Sequence, residues 1–206
     1  MATTLKKFFA FKIGMGQLFD AVSKKVVPFT ALRLESCVVV RIQSNVSGGG
    51  FVLGLTPVAK EDLEKISDAD FVKALKPALF INVSELGDHK IGSILDIKDM
   101  GLVEGDYLNI RGRSRGLGFQ GVMKRHGFAG GPGGHGSNFH RQPGSSGSIR
   151  SSGKLIKGRR MPGRMGNDQV FVKDLQVVKL DLERNCILLK GPVPGKKNNL
   201  ITLFKN

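Results

Sequence analysis

The 206 residues suffice for one large domain or two small ones, and a 40% hydrophobic content can supply a core, which excludes wholesale disorder. A formal charge of +15 points to an anionic partner, either nucleic acid or an acidic membrane surface. The membrane reading fails because no run of about 20 apolar residues and no amphipathic basic helix is present, and the cluster Phe8 to Phe11 stops at Lys12, too short for a signal peptide; a cytoplasmic location is expected.

Along the chain, Lys25 to Leu34 and Ser36 to Gln43 are rich in β-branched residues and read as strands, with Phe51 to Leu55 a short third. Ala59 to Ile66 and Asp68 to Leu75 place apolar residues at helical spacing, with acidic residues early and Pro77 as a stop, which predicts a short helical insertion near 59–75. Asp106 to Arg111 is a further strand, and strand pattern resumes at Val170 to Val172. Val177 to Asp181 and Cys186 to Lys190 flank a turn at Leu182-Glu183-Arg184-Asn185 and so form a hairpin. The fold class expected is mainly β: residues 1–106 and 168–206 close a single β-barrel body, and 107–167 project from it as an extended arm. Cys37 and Cys186 both sit in apolar runs without metal spacing and are expected in the core.

The charge is unevenly distributed. From Tyr107 through Asn167 there is no Asp or Glu, yet the span holds twelve Lys and Arg, so the rest of the chain carries only +3. Sixteen of the 28 glycines lie in the same span, which has too little aliphatic content to fold around a core of its own. Glycine lets backbone approach a partner closely, as a segment threaded between RNA helices requires. A solvated linker would have the same flexibility but would not need Phe119, Met123, Phe128 and Phe139 among its basic and imidazole clusters.

Several motifs need weighing. Gly116-Leu117-Gly118-Phe119-Gln120-Gly121 matches the dinucleotide-binding fingerprint, but more glycines follow where a helix should open, and no carboxylate appears until Asp168. No cofactor is therefore expected. His126, His135 and His140 lack the cysteines or carboxylates that a metal site or a catalytic triad would add, so contact with phosphate or base is the better reading. Arg111, Arg113 and Arg115 alternate with small residues, and an extended strand would put all three guanidinium groups on one side to meet successive phosphates. Lys124, Arg125, Arg141 and Arg150 lie along the middle of the arm, and Lys154, Lys157, Arg159, Arg160 and Arg164 form its return limb. With Phe119, Gln120 and the three histidines, these cations are the candidate RNA-binding residues.

The string G-F-Q-G-V-M-K-R-H-G-F from Gly118, with G-G-P from Gly130, H-G-S from His135, H-R from His140 and P-G-S from Pro143, resembles the bacterial form of the universal large-subunit ribosomal protein number three. K-G-R-R-M-P-G-R-M-G from Lys157, K-I-G-M-G-Q-L-F from Lys12 and K-G-P-V-P-G from Lys190 are similar to the return limb, opening segment and final turn of that family. The resemblance implies a β-barrel body on the ribosome surface and an arm reaching toward the peptidyl transferase centre. It also implies an early assembly role near the 3′ end of the large ribosomal RNA, beside the proteins numbered fourteen and nineteen. Two departures stand out: Gly16 replaces the family's usual Thr, and Ser148, Ile149 and Arg150 offer no glutamine where some relatives carry a methylated one.

Three functions compete: a ribosomal scaffold protein, an RNA-processing enzyme using the arm histidines, and a generic RNA- or polyanion-binding module outside the ribosome. The enzyme lacks an acid beside its histidines, and a DNA-binding module lacks a basic recognition helix. The scaffold reading, non-enzymatic and bound to large-subunit ribosomal RNA, is the one the sequence favours.

Overall fold

The computed structural model describes residues 7–20, 24–44, 51–62, 64–67, 69–83, 90–95, 98, 101–147 and 154–205. In chain order the elements are β1 (Lys7–Asp20), β2 (Lys25–Leu34), β3 (Cys37–Ser44), β4 (Phe51–Pro57), two 3-10 turns (Lys60–Asp62 and Glu64–Ser67), α1 (Ala69–Ala74), β5 (Leu79–Val83) and β6 (Ile94–Leu95). There follow β7 (Tyr107–Arg113), β8 (Gly118–Gln120), α2 (Val122–His126), β9 (Gly163–Met165), β10 (Gln169–Asp181), β11 (Cys186–Lys190) and β12 (Leu200–Lys205). The chain divides into two compact units, 1–113 with 169–206, and 114–168.

In the first unit β1-β12-β7-β10-β11-β2 close an antiparallel barrel. Alternation along the strands selects its interior: Leu108 and Ile110 of β7, Ile201 and Leu203 of β12, and Ile187 and Leu189 of β11 are fully buried. Phe8, Ala10, Leu32 and Leu34 complete that core from β1 and β2. The expected strand at Val170 to Val172 and the one at Val177 to Asp181 are a single strand, β10. The polar stretch between them is a bulge between Val172 and Leu175, where Asp174 takes a φ of 54° and its N–H donates to Asn109 Oδ1 at 3.0 Å. The turn at Leu182 to Asn185 is as expected, with β11 spanning Cys186–Lys190.

One expectation is corrected. The strands read at Ser36 to Gln43 and Phe51 to Leu55 do not enter the barrel; as β3 and β4 they form a second sheet in the order β5-β4-β3-β6. The burial pattern gives the reason. Cys37, Val38 and Val39 are buried in succession, so β3 is covered on both faces. Cys37 and Val39 join the core shared with the barrel, while Val38 faces Val58, Ile66 and Val72 of the helical insertion. That insertion is itself mostly 3-10 turns, with α1 its one α-helical piece among the described residues. Burial pushes the Cys37 thiol up to about 12, consistent with an inert core residue, whereas Cys186 is only half-buried and not the core residue expected.

Residues 191–199 are bound to β1 and to the end of β7. Lys12, 8% exposed, donates from Nζ to the carbonyls of Val193 at 2.6 Å and Gly195 at 3.2 Å, and its backbone pairs with Asn198 and Asn199. Burial pulls its ammonium below the ordinary value of 10.5. Asn199 Nδ2 donates to Arg113 O at 3.2 Å, tying the same loop to the last residue of β7. Lys12→Met should destabilise the protein by about 1–3 kcal/mol, because it strips a charged donor from two carbonyls. Urea unfolding measures this, and a midpoint equal to wild type would show that the loop is held without Lys12.

The departure at Gly16 has a local cause. Gly16 pairs with Phe29 across β1 and β2, and a Cβ on residue 16 would lie 2.8 Å from Phe29 Cζ, so the ring lies over the bare glycine. Gly16→Thr should therefore push the ring away and cost about 1–3 kcal/mol. Adding Phe29→Val should recover most of that loss in a double-mutant cycle of unfolding free energies; additive costs would mean the two positions are independent.

Candidate nucleic-acid interface

The second unit is built with almost no core. Among its described residues Val122 is the one buried side chain. β8 and β9 pair antiparallel, Gly118 opposite Met165, Phe119 opposite Arg164 and Gln120 opposite Gly163. Phe119 and Arg164 thus share one face of this ribbon, and the Phe119 ring is 75% exposed. Gln120 Nε2 donates to Leu117 O at 2.5 Å and fixes the entry to the ribbon. Close approach of backbone explains one glycine here: a Cβ on Gly166, at a φ of 79°, would collide with the Arg115 carbonyl.

α2 is a single turn ended by Gly127 in the left-handed conformation, φ 71°, whose N–H returns to Met123 O. Lys124, Arg125 and His126 crowd its last turn, where the helix carbonyls favour cations. Two of the three are tied down. Arg125 Nη1 donates to Met161 O at 2.6 Å, and His126 Nε2 lies 3.0 Å from the same oxygen, which accepts from the ring when that nitrogen carries its proton. Arg159 Nη2 donates to Ser145 O in the same manner. These contacts clasp the outgoing and return limbs through side chains, a substitute for the missing core.

Between them, Gly131 N donates to His140 O at 2.7 Å and closes the loop 131–140. The Phe139 ring lies on the backbone of Gly131, where any side chain would overlap it. His135 and His140 both have positive φ, 55° and 41°, and both are exposed. Lys124, Arg141, Lys154, Lys157 and Arg160 are also exposed. Arg150, together with the Ser148 to Arg150 departure, lies outside the described residues. Among the described residues no three His, Cys, Asp or Glu side chains gather to hold a metal.

Arg111 and Arg113 occupy alternate exposed positions of β7 in the barrel unit, with Gly112 buried between them. Three arginines in a row on one strand were expected, but β7 ends at Arg113, and only one further pair extends it, Ser114 donating its N–H to Asp168 O at 2.9 Å. Arg115 is therefore off the strand. Sequence reading also missed what surrounds Arg111: its guanidinium lies over the rings of Phe204, at 5.2 Å, and Phe171, at 5.8 Å. Strand alternation could place each ring on the outer face, but only the register brings them together.

Comparison with known proteins fits this organisation. The model of the family described as ribosomal protein L3 matches residues 85–182, from before β6 to the end of β10. Large ribosomal subunit protein uL3 of Desulfotalea psychrophila is 36% identical over 198 residues, covering 93% of this chain and 94% of its own. Its counterparts in Herpetosiphon aurantiacus, 39% over 200 residues, and Heliobacterium modesticaldum, 39% over 199, cover 94% and 93% of this chain and 93% and 92% of their own. Similarity at this level takes in the barrel strands as well as the glycine-rich unit, and by it the chain belongs to the ribosomal protein L3 family.

Proposed function

We propose that this chain binds large-subunit ribosomal RNA directly, using Ser114–Asp168 together with the outward arginines of β7. The family's proteins are structural constituents of the large ribosomal subunit and not enzymes, so the cations and histidines serve contact, not a chemical step. In a bacterium that subunit, and with it this chain, is cytoplasmic. The observation that carries the RNA reading is the charge map: twelve Lys and Arg without one carboxylate between Tyr107 and Asn167, on a stretch that beyond β7 buries one described side chain, Val122. Such a segment gains little from its own packing and much from neutralising phosphates.

The finer expectations belong to the same proposal. The glycine-rich unit extends as an arm toward the peptidyl transferase centre, the protein joins early in assembly near the RNA 3′ end, and the proteins numbered fourteen and nineteen are its neighbours. The domain division at 107–167 and the site residues named above, Arg150 included, are part of it. Arg125 and Arg159 remain in the set although each holds a carbonyl, since a guanidinium has five N–H donors and spends few of them here. Phe119 and Phe139 supply flat surfaces against which unpaired bases stack.

If about six to ten cations each neutralise a phosphate, affinity for a large-subunit ribosomal RNA fragment should fall about 10³- to 10⁵-fold between roughly 50 and 200 mM salt. Because Arg113 and Gln169 are register partners, a two-residue Asn-Gly turn can replace Ser114–Asp168 and keep the barrel closed. Filter binding across salt should show a much shallower slope for that deletion. An unchanged slope would mean that the barrel alone holds the RNA, and near-equal affinity of the intact chain for any polyanion would favour the generic module.

A further inference from the structure

The outer face of the barrel carries a cluster of which the charge map includes only Arg111. Phe171 pairs with Arg111 across β10 and β7, and Thr202 pairs with Arg111 across β12 and β7, so these side chains leave the barrel side by side. Phe204 lies one step along β12, its ring 5.8 Å from that of Phe171 in an edge-to-face arrangement. The Arg111 guanidinium covers both rings, and Lys7 Nζ stands 5.7 Å over Phe204 from the β1 side.

Outward position does not by itself mean exposure in this barrel. Phe9, directly opposite Thr202 on β1, is only 1% exposed and belongs to the shared core. Phe171 is 44% exposed, a large ring left in water on the part of β10 that pairs with β7 alone. The outward positions of β7 and β12, and of β10 up to Phe171, include no Asp or Glu; the first carboxylate along β10 is Asp174, inside the bulge. The surface therefore combines flat π-faces with uncompensated positive charge. A nucleotide has the complement of both, a flat base and an anionic phosphate, whereas an acidic peptide answers only the charge.

We propose that Phe171, Phe204, Arg111 and Lys7 form a stacking site on the barrel for an unpaired nucleotide of ribosomal RNA. The base lies against the exposed Phe171 ring, and the cations hold the flanking phosphates. This rests on the RNA-binding reading above and extends it from the glycine-rich unit to the barrel. Arg111 contributes in two ways: its charge lies over both rings, and its five N–H donors can serve an anion.

The chain has no tryptophan, so Phe171→Trp in the full-length protein introduces a single indole reporter at the exposed ring. Oligoriboadenylate should quench its emission, and inorganic polyphosphate, an anion without bases, should not. In parallel, Phe171→Leu should weaken binding to a large-subunit ribosomal RNA fragment about 5- to 100-fold with the salt slope unchanged, because an uncharged stacking contact is lost. Arg111→Gln should lower the slope by about one. The proposal is overturned, while RNA binding by the protein stands, if Phe171→Leu binds the fragment like wild type and the indole is not quenched by RNA. Quenching by a purified large-subunit protein in place of RNA would likewise overturn it and assign the face to a protein neighbour. If wild type itself does not bind the fragment, both this proposal and the RNA-binding reading fall.

Discussion

β7 and β10 pair antiparallel as far as Arg113 and Gln169, and the chain between those residues leaves and re-enters the barrel at neighbouring backbone positions. A long insertion is tolerable at such a point because its ends are already held together, and loop-closure cost grows only about 0.6 kcal/mol per doubling of length. The loop 191–199 reinforces the junction: Asn199 bonds the Arg113 carbonyl, and Lys12 anchors the loop from β1. Gly112 must stay small there, since a Cβ would press on Pro194 Cγ at 3.2 Å. The barrel thus closes with residues from both ends of the chain and does not depend on the insertion for its core.

That independence lets the second unit dispense with apolar packing. Its described contacts are mainly polar: a three-residue ribbon, one helical turn, and guanidinium or imidazole groups on backbone carbonyls. Arginine suits this role because it satisfies a carbonyl and still presents charge outward. Lysines placed there would be freer point charges with less hold on the backbone. Concentrating cations without carboxylates is unfavourable in isolation, since like charges repel, and becomes favourable beside an anionic partner.

What the sequence made legible follows from how local each signal is. The β2 strand, the Leu182 to Asn185 turn and β11 lie where β-branched runs and turn residues placed them, because those signals need only adjacent residues. β1 was not legible as a 14-residue strand: Gly14 and Gly16 interrupt its pattern, and its partners β2 and β12 lie at opposite ends of the chain. The assignment of β3 and β4 to a separate sheet was equally hidden, since a strand buried on both faces looks the same whichever layers cover it. In the candidate site the cations could be read directly from the sequence. The clasp of Arg125 and His126 on Met161 could not, because it joins residues 35 and 36 apart through a carbonyl that has no sequence signature.

Arg111 shows how geometry revises a charge-based assignment. From sequence it was one of three arginines lined up for phosphates; in the fold its guanidinium lies over two aromatic rings, and Arg115 has left the strand altogether. A guanidinium held over aromatic rings loses less freedom when it meets an anion than one on a mobile side chain, so its donors are better placed in advance. The same rings occupy part of the space around the group and leave the rest to an anion. A base stacked on Phe171 would bring a phosphate toward the guanidinium. On the proposed reading, charge and aromatic surface on this face are one recognition element, while the cations of the glycine-rich unit, spread over a backbone with little packing of its own, would act mainly through number.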